Sequence, residues 1–179
     1  MELDELIPQY GEKLLRYATT ILYSHPDAED VVQDVFISYL QNSKRAEINN
    51  IAAWLYKVTY NLCLNKIKGA KRRRWSFFED IKEEPAVHME DSLTMPEIME
   101  ALKRLTPQER ALLYGRAMDE HSYEELSHII GASPAALRKQ YERVKKKASK
   151  YLDAHGYGSA EAPRTPNLCI VKKEGRRAL

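Results

Sequence analysis

Cysteine is scarce in this sequence: Cys63 and Cys169 are the only two among 179 residues. They lie far apart and lack metal-type spacing, so the sequence predicts neither a disulfide framework nor a zinc site. A reducing compartment is expected. The sequence does not open on an apolar signal-peptide run, and nowhere do 18 apolar residues follow one another. We therefore expect a cytoplasmic protein without membrane insertion.

The patterns that usually carry catalysis are also lacking. The five histidines show no metal-ligand spacing, the seven glycines form no phosphate-cradling loop, and no nucleophile motif occurs. Cys63, within a helical pattern, fits a small buried residue better than a reactive thiol. We expect neither an enzyme nor a cofactor.

Charge is nearly balanced overall, at +2, but it is strongly sorted along the chain. Residues 51–78 contain seven Lys or Arg and no acid, residues 79–100 contain eight acids and one Lys, and residues 137–151 contain seven basic residues and one acid. Two separated basic segments favour contact with a polyanion at two places, because neutralising phosphates supplies most non-specific affinity.

Apolar spacing in the first half predicts three helices. The first covers about residues 3–22. The second begins near Ser24 or Asp27, either of which could be its N-cap, and is expected to bury Val31 to Leu40 on one stripe. The third covers about residues 51–68 and is expected to end at Gly69 and the basic run that follows.

The second half predicts a helix-turn-helix. Thr106 and Ser122 each begin a capping box, with Glu three residues later. Gly131 can adopt the left-handed turn conformation, and Ser133 precedes Pro134 at the start of a last helix. Such a second helix enters the major groove of DNA, although a plain helical hairpin would give the same pattern.

Three parts of the chain, at 27–36, 53–62 and 105–133, resemble in this order the extracytoplasmic-function sigma factors, which belong to the sigma-70 family. The segment 27–36, DAEDVVQDVF, resembles the part of sigma region 2 that binds the polymerase. The segment 53–62, AWLYKVTYNL, with its following basic run, is similar to the part that melts and reads the −10 element. LTPQER at 105–110, SYEEL at 122–126 and GAS at 131–133 resemble sigma region 4, which reads the −35 element.

The resemblance implies an all-α chain of two small helical domains joined by a flexible linker. Sigma region 2, with three or four helices, would occupy residues 1–75, and an acidic linker residues 76–95. Sigma region 4, with the helix-turn-helix, would occupy residues 96–152, and a disordered tail residues 153–179. The tail lies outside the family core, and no role is assigned to Cys169 within it.

The resemblance also assigns partners: the clamp helices of the largest polymerase subunit, the polymerase flap, promoter DNA and an anti-sigma factor. An acidic helix face suits a basic protein surface, although an ordinary solvated face is the plainer interpretation of the charges alone. The residues expected to bind core polymerase are Asp27, Asp30, Gln33, Asp34 and Phe36.

Aromatic and amide side chains among basic residues suit melted DNA, because an extruded base needs stacking partners while the backbone needs cations. Trp54 is excluded, since its spacing to Leu55 and Val58 fits the core. The residues expected at the −10 element are Asn49, Asn50, Tyr56, Lys57, Asn61, Lys66, Arg72, Arg73 and Arg74.

The amino-acid sequence of the recognition helix departs from the one that is commoner in the family. The −35 sequence that this helix reads therefore stays undefined. Arg, Lys and Gln read purine edges or bind phosphate, and alanines allow close approach. The residues expected at the −35 element are Ser133, Ala135, Ala136, Arg138, Lys139, Gln140 and Arg143. The competing function is a helix-turn-helix regulator that acts without polymerase, which would have no need of the segment 27–36.

Overall fold

The structure is a computed structural model, and it describes residues 3–42, 48, 50–76 and 102–154. Within these residues every long regular element is a helix, as the sequence predicts. The helices are α1 (Leu3–Leu22), α2 (His25–Asn42), α3 (Ile51–Ser76), α4 (Pro107–Ala117), α5 (Tyr123–Ile130) and α6 (Pro134–Ala154). Of the predicted linker 76–95, Ser76 ends α3 and the rest lies outside the described residues. Of the predicted tail 153–179, Asp153 and Ala154 belong to α6 and the rest lies outside the described residues.

Helices α1, α2 and α3 pack around one apolar core. Tyr17 and Ile21 of α1, Val35 of α2 and Leu55 of α3 are among its fully buried members. They meet because each helix repeats apolar residues every three or four positions, which places them on one face. Ser24 caps α2, since its Oγ accepts a hydrogen bond from the backbone N–H of Asp27 at 3.4 Å. The sequence left Ser24 and Asp27 as alternatives, and Ser24 holds the position.

Helices α4, α5 and α6 form the second unit, around Leu112, Leu126 and Leu137. Both predicted capping boxes are present: Thr106 and Ser122 accept from the backbone N–H three residues later, and Glu109 and Glu125 accept from the cap N–H in return. Each pair satisfies two donors that a helix start leaves free, so α4 and α5 begin where the sequence predicts.

Two expectations about these helices are wrong. Helix α3 does not end at Gly69 but continues to Ser76. A glycine inside a helix costs only about 1 kcal/mol relative to alanine, and the Lys and Arg residues that follow it are good helix formers. Leu40 does not lie in the core stripe of α2: it is 47% exposed, because the buried stripe runs through Val31, Val35 and Tyr39.

The two units pack against each other, with α1 against α4 and α3 against α5. Ala111 and Ile129 of the second unit belong to the same apolar cluster as the core of the first. This contact covers part of α3, a helix on which the sequence places DNA-binding residues. No helix of the described residues is long and apolar enough to span a membrane.

Candidate polymerase and nucleic-acid interfaces

The solvent face of α2 is mixed acidic and apolar. Gln33 and Asp34 are exposed, as a polymerase contact requires. Phe36 is only 8% exposed and packs in the core, because it lies beside Val35 on the buried side of the helix. The structure therefore places Phe36 in the core and not in the expected polymerase contact.

Two apolar side chains share the exposed face of α2. Ile37 is 51% exposed and Leu40 is 47% exposed. Ile37 is three residues after Asp34 and four after Gln33, so all three residues lie on one side of the helix. Sequence reasoning did not identify Ile37, although this same spacing from the acidic residues could have indicated it.

Asp27 and Asp30, at the start of α2, are both engaged by Lys66 of α3. The ammonium of Lys66 lies 2.9 Å from Asp27 Oδ1 and 2.9 Å from Asp30 Oδ2. Burial lowers the pKa of Lys66, but its hydrogen bonds to the two carboxylates outweigh burial and raise that pKa above its usual value. Two residues expected to bind polymerase and one expected to bind DNA thus form one cluster that joins α2 to α3.

Helix α3 presents part of the expected −10 surface to solvent. Lys57 and Asn61 are exposed and four residues apart, hence on one face. Asn50 caps the helix, because its Oδ1 accepts from the backbone N–H of Ala53 at 2.9 Å. Asn49 and the side chains of Arg72, Arg73 and Arg74 lie outside the described part of the chain.

Tyr56 is the one expected −10 residue of α3 that is buried, at 3% exposure, among those whose side chains the structure describes. Its ring packs edge-on against Tyr17, with the centroids 5.2 Å apart, and against His121 of the second unit, at 4.5 Å. In this arrangement Tyr56 cannot reach DNA.

Trp54 is half-buried and packs against the ring of Tyr39, with the centroids 5.9 Å apart. This position agrees with the core role that its spacing predicts.

Helix α6 presents the basic and small residues expected of a recognition helix. Ser133 caps it, since its Oγ accepts from the backbone N–H of Ala136 at 3.3 Å. Gln140 is half-buried, and the guanidinium of Arg138 lies 5.2 Å from the centre of the Tyr123 ring. The residues that are exposed on this helix include Ala135, Ala136, Arg138, Lys139 and Arg143.

The turn before α6 fixes how that face is presented. Gly131 has φ +82° and ends α5, a left-handed conformation that glycine adopts without a Cβ penalty.

Farther along α6, Lys147 Nζ lies 3.1 Å from Glu109 Oε2 and so joins α6 to α4. Burial raises the pKa of Glu109, but its hydrogen bonds to Thr106 and Lys147 outweigh burial and lower it overall. The described residues contain no cluster of three or more side chains suited to bind a metal ion.

The fold and these faces define a two-unit helical protein with a DNA-type helix-turn-helix. Two family models match the chain: sigma-70 region 2 over residues 6–73 and sigma-70 region 4 over residues 96–147. The chain therefore belongs to the sigma-70 family, and its curated relatives support the extracytoplasmic-function group within that family.

Curated relatives agree with this assignment. The chain is 26% identical over 168 residues to the ECF RNA polymerase sigma factor SigE of Mycolicibacterium smegmatis, a match that covers 89% of this chain and 65% of the relative. It is 24% identical over 161 residues to the RNA polymerase sigma factor YlaC of Bacillus subtilis, covering 84% of this chain and 91% of the relative. The chain thus spans slightly less than two thirds of the first relative and most of the second.

Solved structures share the fold. The sigma factor RpoE in complex with the anti-sigma factor NepR from Bartonella quintana has a TM-score of 0.69 at 21% identity, over 84% of this chain and 96% of that one. CnrH in complex with the cytosolic domain of CnrY has a TM-score of 0.64 at 21% identity, over 84% of this chain and 87% of that one.

Proposed function

We propose that this chain binds core RNA polymerase and directs it to promoters through two DNA elements. Region 2 would occupy residues 1–75 and region 4 residues 96–152, with the acidic segment 76–95 between them and the tail 153–179 beyond. The observation that carries the proposal is the order of the two matched regions, 6–73 and then 96–147, each with a helix that presents exposed basic residues.

The polymerase contact is assigned to the exposed face of α2. Asp34 and Gln33 offer charge and hydrogen bonds, while Ile37 and Leu40 offer apolar area that is exposed in this chain. Such a combination fits an interface better than a plain solvated face, since apolar anchors supply most binding energy and charges steer docking. The expected partner is the clamp-helix pair of the largest polymerase subunit.

The −10 element is assigned to α3. Lys57 and Asn61 can contact the backbone and bases of melted DNA, and Tyr56 can stack on a base once it is uncovered. Lys66 joins α3 to α2, because its ammonium forms ion pairs with Asp27 and Asp30. A contact of Lys66 with phosphate would come in addition to this role.

The −35 element is assigned to the exposed face of α6. Arg138, Lys139 and Arg143 are exposed and would contact base edges and phosphates, while Ala135 and Ala136 would allow the helix to approach the groove closely. The half-buried Gln140 and the capping Ser133 would act at the edge of this contact. Lys145 to Lys147 continue the basic surface toward phosphates or the polymerase flap.

An anti-sigma factor is the proposed second partner. NepR and CnrY are bound to the two sigma factors whose folds resemble this chain. The surfaces that such a protein would cover are those assigned to polymerase. The chain itself has no catalytic role in this proposal and takes no cofactor.

A binding experiment separates this function from that of a regulator that acts alone. Promoter DNA fragments would be tested by gel shift with the chain, with core polymerase and with both. A specific shift that needs both proteins is expected. A specific shift of the same fragment by the chain alone, unchanged by polymerase, would favour the regulator instead.

A further inference from the structure

The aromatic ring of Tyr123 lies where the three helices of region 4 meet. Tyr123 is the first residue of α5 and follows the capping Ser122, so the capping box fixes its backbone. Its half-buried ring packs on the core of the second unit, and Tyr141 of α6 meets it edge-on, with the ring centroids 6.3 Å apart. Because its backbone and its ring are both held, Tyr123 offers a fixed aromatic surface to the side chains around it.

Two arginines lie against this ring. The guanidinium carbon of Arg116 on α4 is 5.3 Å from the ring centre, and that of Arg138 on α6 is 5.2 Å from it. An aromatic face attracts a cation within about 6 Å of its centre. Arg116 is also anchored, because its Nη1 donates a hydrogen bond to the backbone carbonyl of His121 at 3.0 Å. Tyr123 therefore connects an anchored arginine of α4 to an arginine on the exposed face of the recognition helix.

Arg138 differs from two basic neighbours on α6 in what it contacts. Lys145 pairs with Glu142 at 2.9 Å, and Lys147 has a carboxylate partner on α4 at 3.1 Å. Within the described residues the exposed side chain of Arg138 makes no ion pair and no hydrogen bond. An aromatic ring orients the plane of a guanidinium and leaves its N–H donors free, whereas a carboxylate occupies them. The contact with the ring thus directs Arg138 without using the groups that would read a base.

We propose that Tyr123 is a positioning residue for −35 recognition, which orients the guanidinium of Arg138 toward a base edge in the major groove. The inference rests on the proposed function, since it needs Arg138 to read a base. Ordering a long side chain on binding costs conformational entropy, and a side chain that is oriented beforehand avoids part of this cost. Loss of the ring should therefore lower the affinity for the preferred −35 element more than the affinity for a scrambled one.

Two substitutions separate the ring of Tyr123 from its hydroxyl. Tyr123→Leu removes the aromatic face and keeps an apolar side chain for packing, whereas Tyr123→Phe keeps the face and removes only the hydroxyl. Tyr151→Leu is the matched control. Tyr151 is another half-buried tyrosine that packs against an arginine, Arg104, at 5.1 Å, but it lies roughly 20 Å farther along α6 than Arg138.

The first test measures −35 discrimination by the complex of core polymerase with the full chain. Competition binding gives the ratio of the affinities for promoter DNA with the preferred −35 element and for the same DNA with that element scrambled. Tyr123→Leu is expected to lower this ratio by about two- to fivefold, the factor that corresponds to one exposed cation–π contact. Tyr123→Phe and Tyr151→Leu are expected to leave it unchanged. A smaller folded fraction in any variant does not change the ratio, because it affects both affinities equally.

An Arg138→Ala background decides whether Tyr123 acts through Arg138. In this background Tyr123→Leu is expected to leave the affinity ratio unchanged, because the side chain that the ring orients is absent. A further fall by the same factor would overturn the proposal, since Tyr123 would then read the element by itself. A ratio as low for Tyr123→Phe as for Tyr123→Leu would also overturn it, because the hydroxyl and not the ring face would then be responsible.

An NMR measurement on the free full chain tests the contact without polymerase or DNA. The ring current of Tyr123 is expected to shift the side-chain proton resonances of Arg138 upfield in the parent and in Tyr123→Phe, and this shift should be lost in Tyr123→Leu. Unshifted resonances in the parent would overturn the proposal. Discrimination by the parent complex that survives Tyr123→Leu would overturn the positioning role alone. If the parent complex does not distinguish the two DNAs, the proposed −35 function of α6 fails, and the role of Tyr123 fails with it.

Discussion

The ammonium of Lys66 on α3 lies 2.9 Å from a carboxylate oxygen of Asp30 on α2. The same ammonium is 2.9 Å from Asp27. The sequence predicts different interfaces for these residues, a DNA interface for Lys66 and a polymerase interface for the two aspartates. Their contact means that a substitution at Lys66 changes both the packing of α2 against α3 and the charge around the two aspartates.

Lys66→Met is expected to lower the free energy of unfolding by about 1 kcal/mol or less, because partly exposed ion pairs contribute little. The pKa of Lys66 is raised above 10.5, so this contribution is present below pH 10.5 and is lost as the pH rises through the raised value. Urea unfolding at neutral pH measures this change in the free energy of unfolding. Lys68→Met, at an exposed position of the same helix, is the control, and an equal loss in both variants would argue against the cluster.

Alanine substitutions at two glycines are expected to change the stability of the chain in opposite directions. Gly131 has φ +82°, so Gly131→Ala should destabilise the chain by about 1–2 kcal/mol. Gly69 lies inside α3, and nothing lies within 4 Å of the position that a Cβ would occupy, so Gly69→Ala should stabilise by about 0.5–1 kcal/mol. Thermal unfolding of both variants tests the pair, and destabilisation by Gly69→Ala would contradict a continuous α3.

Ile37→Ser is expected to weaken polymerase binding by about 1 kcal/mol or more, since truncating an apolar anchor that an interface buries has effects of that size. The fold should not change, because Ile37 is 51% exposed. Ile7→Ser is the control: Ile7 is 45% exposed on α1 and is not assigned to polymerase. Fluorescence anisotropy with core polymerase compares them, and equal affinities for the two variants would remove Ile37 from the interface.

Arg138→Ala is expected to weaken recognition of the −35 element by about 1–3 kcal/mol if the guanidinium reads a base. The loss should fall on promoters with the preferred base and not on a scrambled element. Lys150→Ala, at an exposed position near the end of the same helix, should reduce binding evenly across sequences. Competition binding of the polymerase complex to both DNAs measures this difference, and a uniform loss for Arg138→Ala would assign that residue to phosphate.

Cys63 is expected to be unreactive in the folded chain. It is fully buried, and burial raises the pKa of its thiol to about 12. In a Cys169→Ser background, a thiol reagent at pH 8 should label Cys63 only after unfolding in denaturant. Rapid labelling of the native chain would show that the core around α3 opens readily.

Periodicity and capping were sufficient to predict most of the fold. The hydroxyl and Glu pairs at Thr106 and Ser122 located the starts of α4 and α5, and Gly131 located the turn, because each pattern has a local physical cause. The predicted end of α3 was wrong because helix propensity around Gly69 outweighs the cost of one glycine.

Exposure on α2 was less predictable than helix formation. Phe36 and Ile37 are neighbours of similar apolarity, and only the packing of α2 against α1 and α3 decides that the first is buried and the second exposed. The burial of Tyr56 depends on region 4, which begins far along the sequence. No local pattern near Tyr56 contains that information.

Run-off transcription with core polymerase, with and without this chain, on a library of promoter fragments tests the sigma function most directly. We expect transcripts that appear only when the chain is present and that begin downstream of a shared pair of −10 and −35 elements. Transcripts that are the same with and without the chain, although it binds the fragments, would contradict the assignment of a sigma function.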